Sequence, residues 1–146
     1  MPLLDTKIQA QVRKALEAMA GPVKLVMFTQ GADALECEFC AETRGLIEEI
    51  AALAPAGKLS VEAHDFVADG AAVGAYQVDK IPAIALVGAK DYGIRFYGIP
   101  SGYEFSSLMD DLVAVSKGES GLSDATKAAV AKINQPVHIQ VYVTPT

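Results

Sequence analysis

The order of apolar patterns predicts an α/β protein with a mixed central sheet and helices on both faces. Three observations carry this. Helical and strand periodicities alternate through the first half of the chain. Two adjacent strand-like runs, 83–87 and 93–97, are separated by a short glycine-containing turn and read as an antiparallel hairpin. The run Val23-Lys-Leu-Val-Met-Phe28 is almost wholly apolar, as suits a strand covered on both faces.

The first helix is expected to begin after Asp5, a good N-cap residue. Ile8, Val12, Ala15, Leu16 and Met19 then share one face, and Gly21-Pro22 stops the helix. After the strand and a loop, Cys37 and Cys40 open a second helix with an apolar stripe of Leu46, Ile47, Ile50, Leu53 and Ala54, ended by Pro55 and Gly57. Residues 59–66 alternate as a strand, and 69–77 form a short alanine-rich helix. Ile81-Pro82 leads into the hairpin. Ser101 and Glu104 have the spacing of a capping box, and Phe105, Leu108, Met109, Leu112 and Val113 follow at helical spacing. A short helix over 124–133, capped by Ser123, and a strand over 137–143 are expected to close the chain.

The 146 residues amount to about one domain. Hydrophobic residues make up 51% of the chain, enough for a packed core. Twelve basic against 18 acidic residues give a net charge of −6, which disfavours a phosphate-backbone binder. No apolar run reaches the ~18–20 residues of a membrane helix. The first ten residues lack the basic and apolar regions of a signal peptide, so the expected compartment is the cytoplasm.

Both cysteines lie in one window, Cys37-Glu38-Phe39-Cys40. At i and i+3 on a helix start they fall within the ~4.4–6.8 Å Cα separation that a disulfide tolerates. Helix N-terminal amides stabilise a thiolate there. A C-x-x-C in a βαβ-patterned chain reads as a redox dithiol. Two other readings stay open: a zinc site, which would need His64 and His138 despite their lack of finger spacing, and inert buried cysteines.

With this helix–strand opening, the C-x-x-C, Ile81-Pro82 and the run from Tyr92 to Phe105, the chain resembles the thioredoxin fold. It is similar in particular to the first unit of the tandem protein disulfide oxidoreductases, or glutaredoxin-like proteins. The run Gly93-Ile-Arg-Phe-Tyr-Gly-Ile-Pro-Ser-Gly-Tyr-Glu-Phe105 also resembles the N-terminal domain of the alkyl hydroperoxide reductase flavoprotein. The resemblance implies a thiol–disulfide oxidoreductase in which Cys37 attacks and Cys40 resolves. It implies that Pro82 is a cis-proline facing the pair and that Ile81 offers its backbone to an extended substrate. Protein disulfides would be the substrates and a reductase or thiol would recycle the pair, with no cofactor, nucleic acid or membrane involved. The alternative is a redox-inactive binding or scaffold module.

The chain departs from these relatives in three respects, the first being that the family's second C-x-x-C, expected soon after Pro145-Thr146, is not found in this sequence. The loop before Cys37 is longer than usual, and the first strand has no carboxylate where thioredoxins place a buried aspartate. Asp33, Glu36, Glu38 and Glu42 surround the pair with negative charge, either as a solvated loop or as an electrostatic influence on the pair. A partial repeat links Pro22-Val-Lys-Leu-Val-Met-Phe-Thr29 to Pro136-Val-His-Ile-Gln-Val-Tyr-Val143. Residues 1–120 are therefore read as a thioredoxin-like unit and 121–146 as the start of a second, incomplete one. The wholly apolar face of its strand, 137–143, would need cover, either by folding back on the first unit's sheet or, as favoured here, by pairing with a second copy in a homodimer.

Overall fold

The computed structural model describes residues 2–30 and 37–144. Its sheet has four strands: β1 (Val23–Thr29), β2 (Leu59–Asp65), β3 (Ala83–Val87) and β4 (Asp91–Tyr97), in the order β2-β1-β3-β4. β1 pairs parallel with β2 and antiparallel with β3, and β3 pairs antiparallel with β4. The described helices are α1 (Thr6–Leu16), α2 (Cys40–Leu53), α3 (Gly70–Tyr76), α4 (Tyr103–Lys117) and α5 (Asp124–Val130).

Central placement explains the apolar run of β1. Successive side chains of a strand point to opposite faces, so Leu25 and Met27 enter one core while Val26 and Phe28 enter another. The larger core lies under α1, α2 and α4, where Leu16, Ile47, Ile50, Leu108 and Leu112 are fully buried against Ile84 and Leu86. The smaller core lies on the opposite face, where Val73 and Tyr76 of α3, with Val78 and Ile81, cover Val26, Phe28, Ala83 and Ala85. The expected mixed sheet with helices on both faces is therefore present.

Local signals account for the ends of the elements. The Asp5 carboxylate accepts the Ile8 N–H at 2.8 Å, as its position before α1 predicts. Gly21 passes close to α4: its N–H donates to the Ser116 carbonyl at 2.9 Å. Gly88, in the β3–β4 turn, lies tighter still, since a Cβ there would sit 2.7 Å from the Val115 carbonyl oxygen. α4 ends at Gly118 in the left-handed region, φ 66°, which costs a glycine little.

Three expectations need correction. Ser101 does not cap α4: Gly102, at φ 59°, precedes the helix, and the Glu104 N–H donates to the Ser101 carbonyl rather than to its side chain. The stripe of α4 includes Val115 among its buried residues, whereas Val113 is half-buried.

The third concerns the last strand. Ser123 caps α5 by accepting the Thr126 N–H at 3.2 Å, as expected. Residues 137–143, however, pair with no strand among the described residues. Val137, Ile139, Val141 and Val143 are 63–82% exposed. A strand gains its stability from cross-strand pairing and from cover over its apolar face, and this segment has neither.

Candidate functional site

The site is built where the carboxyl end of β1 meets the start of β3. Phe28 pairs with Ala83, so Pro82 lies at the strand end from which the chain leads toward Cys37. The Ile81–Pro82 peptide is cis. Pro82 is buried, and its carbonyl accepts the Gly98 N–H at 2.9 Å, tying this turn to the end of β4. Ile81 is half-buried and packs on the smaller core. Gly98 belongs to the 93–105 run that carried the family resemblance, which gives that run a structural role beside the proline.

Cys37 and Cys40 form a disulfide with a Cα separation of 5.5 Å. Their positions differ from the sequence expectation by one turn: α2 starts at Cys40, and Cys37 lies in the preceding turn, with the Cys40 N–H directed at the Cys37 carbonyl at 3.4 Å. The two sulfur residues are unequal in access. Cys40 is 3% exposed, while Cys37 is half-buried at the surface. The N-terminal end of the 14-residue α2 supplies the partial positive charge that favours a thiolate at this end.

Phe39, between the cysteines, is 43% exposed, an apolar ring beside the disulfide that residue spacing alone did not single out. Glu38 and Glu42 are exposed, and among the described residues no cation pairs with either. Asp33 and Glu36 lie outside the described residues. Arg44 is a surface side chain paired with Glu48 at 2.8 Å. His64 is bonded to Glu62 at 2.8 Å and Asp69 at 3.2 Å and stacked on Phe28. β1 carries no carboxylate, and its buried positions are apolar apart from Thr29.

No family model matches the chain. It is similar to the NADH dehydrogenase of Bacillus subtilis (strain 168), 26% identical over 146 residues, which are 99% of this chain and 25% of that protein. Among solved structures it resembles a protein disulfide oxidoreductase from Aeropyrum pernix K1, with a TM-score of 0.76 and 28% identity over 89% of this chain and 56% of that one. It also resembles an alkylhydroperoxide reductase, AhpF, from Enterococcus faecalis (V583), with a TM-score of 0.76 and 24% identity over 88% of this chain and 60% of that one.

The fold and the C-x-x-C pair define a thioredoxin-fold protein bearing a disulfide-forming dithiol. The relation expected from the sequence, to the protein disulfide oxidoreductases and to the N-terminal part of the hydroperoxide reductase flavoprotein, holds in three dimensions. The chain spans a quarter of the length of the curated relative it matches and less than two thirds of either solved chain.

Proposed function

We propose that this chain is a thiol–disulfide oxidoreductase module that exchanges protein disulfides through Cys37 and Cys40. The observation that carries the reading is the unequal exposure of a disulfide-bonded pair at the start of a thioredoxin-fold helix. The accessible Cys37 thiolate attacks a substrate disulfide and forms a mixed disulfide. Cys40 then attacks Cys37, releasing the reduced substrate and leaving the Cys37–Cys40 disulfide. Ile81 and Pro82 form the opposite wall, where an extended substrate segment adds its backbone beside Ile81.

The oxidised pair must be recycled by a thiol or a reductase. The name of the Bacillus subtilis relative, an NADH dehydrogenase, supports a nicotinamide-linked donor for that step. No described helix is long and apolar enough to cross a membrane, and a cytoplasmic site of action fits the sequence. We further read residues 121–146 as the opening of a second unit. Its exposed Val137, Ile139, Val141 and Val143 support pairing with a second copy of the chain.

The test is a thiol titration before and after reduction, together with an insulin-reduction assay. Two thiols that appear on reduction, disappear on mild oxidation and support turnover are the expected result. A pair that does not interconvert would favour a scaffold module with idle cysteines.

A further inference from the structure

Two buried side-chain oxygens, Gln30 Oε1 and Thr43 Oγ1, have no hydrogen-bond partner among the described residues. Gln30 adjoins 31–36, which lie outside the described residues. Thr43 is different, because it lies within the well-packed α2 and is 0% exposed. A helical threonine ordinarily satisfies its hydroxyl on the carbonyl four residues back. Here that carbonyl, Phe39, accepts the Thr43 backbone N–H at 2.9 Å, and no bond from the hydroxyl accompanies it. Valine would fill the same volume with no orphaned oxygen, so this hydroxyl is a cost to the disulfide form.

Thr43 is three residues after Cys40. Residues at i and i+3 are neighbours on one helix face, with Cβ atoms about 5–6 Å apart, and the later side chain leans back toward the earlier. Both residues are buried, Cys40 at 3%. In the disulfide the Cys40 sulfur carries no proton and no charge. On reduction it becomes a thiol, and during exchange a thiolate, in surroundings that offer little solvation. The carboxylate that thioredoxins bury on the first strand is absent from β1.

We propose that the Thr43 hydroxyl is the hydrogen-bond partner of the Cys40 sulfur in the reduced protein and steadies its thiolate during exchange. In the resolving step the Cys40 thiol gives up its proton and its sulfur attacks Cys37 Sγ. The bond between Cys37 and the substrate breaks, and the substrate sulfur leaves with the electron pair and takes up a proton. The cysteine pair is thereby oxidised by two electrons and the substrate disulfide reduced. Thr43 donates to the Cys40 sulfur while it is charged and can accept its S–H when it is neutral.

The proposal as it concerns resolution rests on the function proposed above, but its first test does not. The equilibrium of the full chain with glutathione buffers is measured for wild type, Thr43→Val and Thr43→Ser. Valine removes the hydroxyl and keeps the shape, and is expected to shift the equilibrium about three- to tenfold toward the disulfide. Serine, which restores the hydroxyl, should return it toward wild type. Thr43→Ala, also without the hydroxyl, replaces the valine variant if that one does not fold. An equilibrium unchanged by loss of the hydroxyl overturns the proposal, and so does a shift that serine fails to restore.

The second readout is the lifetime of the mixed disulfide with a disulfide-bonded peptide. Thr43→Val should lengthen it about tenfold or more, because a bond to a charged sulfur is lost, while the rate of Cys37 attack stays unchanged. A wild-type protein that reacts with no protein disulfide, alongside a shifted equilibrium that serine restores, would remove the proposed function and leave this inference standing.

Discussion

Phe28 of β1 stands opposite Ala83 of β3 in the antiparallel ladder, so the carboxyl end of β1 lies beside the start of β3, which Pro82 immediately precedes. Both residues are fully buried in the smaller core under α3. The proline side of the site is thus held by packing on the sheet face opposite α2. The cysteine side is held by α2 itself, through Leu46, Ile47, Ile50 and Leu53 in the larger core. The proline and the cysteine pair are therefore held by packing on opposite faces of the sheet.

The exposed ring of Phe39 offers an apolar contact next to the disulfide. Replacing it with alanine should raise KM for a protein disulfide about fivefold to thirtyfold, the range of a modest lost apolar contact of ~1–2 kcal/mol. The rate with a small disulfide such as oxidised glutathione should change little. Steady-state kinetics with both substrates check this, and an equal loss on both would place Phe39 in the chemistry rather than in docking.

Glu38 and Glu42 put negative charge beside the pair with no described cation to offset it. Such charge disfavours the Cys37 thiolate and so stabilises the reduced form less. The reduction potential should lie nearer the ~−270 mV of thioredoxin than the ~−120 mV of a strongly oxidising pair. Glu38→Gln should raise it. Equilibration with glutathione buffers gives the value, and one above about −180 mV would contradict this reasoning.

Arg95 grips Asp91 through two bonds of 2.9 and 2.6 Å and donates from Nε to the Tyr76 carbonyl at 3.1 Å, joining β4 to the end of α3. The Arg95 guanidinium holds the Asp91 carboxyl below its ordinary value, with the Gly93 N–H adding to the effect. A carboxyl held low in the folded state contributes stability above its unfolded value, near 3.9, and that contribution fades as pH falls through the folded value. Asp91→Asn should therefore cost about 1 kcal/mol at neutral pH, a figure kept small by partial exposure. The difference from wild type should vanish on acidification. Urea unfolding at neutral and acid pH measures both.

Gly88 lies where any side chain meets the Val115 carbonyl and Cγ1, at 2.7 and 2.9 Å from a built Cβ. Gly88→Ala should destabilise the fold by about 1–3 kcal/mol, because the hairpin turn must lift off α4. Gly70→Ala, where a Cβ meets nothing within 4 Å, should be tolerated. Thermal unfolding of the two variants separates a steric cause from a general intolerance of glycine replacement.

The exposed apolar residues of the last segment should make the full chain associate, whereas a version ending at Ser120 should be a monomer. Light scattering on both checks this. A monomeric full chain, or a dimer that survives the truncation, would show that residues 121–146 are not the interface.

Much of this structure was legible because its cores follow simple periods. The stripes of α2 and α4 and the apolar run of β1 needed no tertiary information, and Asp5 and Ser123 act as the caps their positions suggest. Ser101 did not, because Gly102 takes a conformation that turns the chain before the helix begins. The 137–143 segment has the alternation of a strand, but alternation cannot supply a pairing partner. The cis form of Pro82 is invisible to composition and came only from the family resemblance. Thr43 is a different case. It occupies a stripe position, three residues before Leu46 and four before Ile47, so its burial is readable, but periodicity says nothing of what its hydroxyl bonds to.

If Cys37 attacks and Cys40 resolves, trapping of the mixed disulfide separates the two roles. The Cys40→Ser protein is incubated with a disulfide-bonded protein substrate and its intact mass recorded without reductant. The expected result is a covalent adduct on Cys37 that dithiothreitol releases, with no such adduct for Cys37→Ser. An adduct that forms on Cys40 in the Cys37→Ser protein while Cys40→Ser stays unmodified would contradict the assignment.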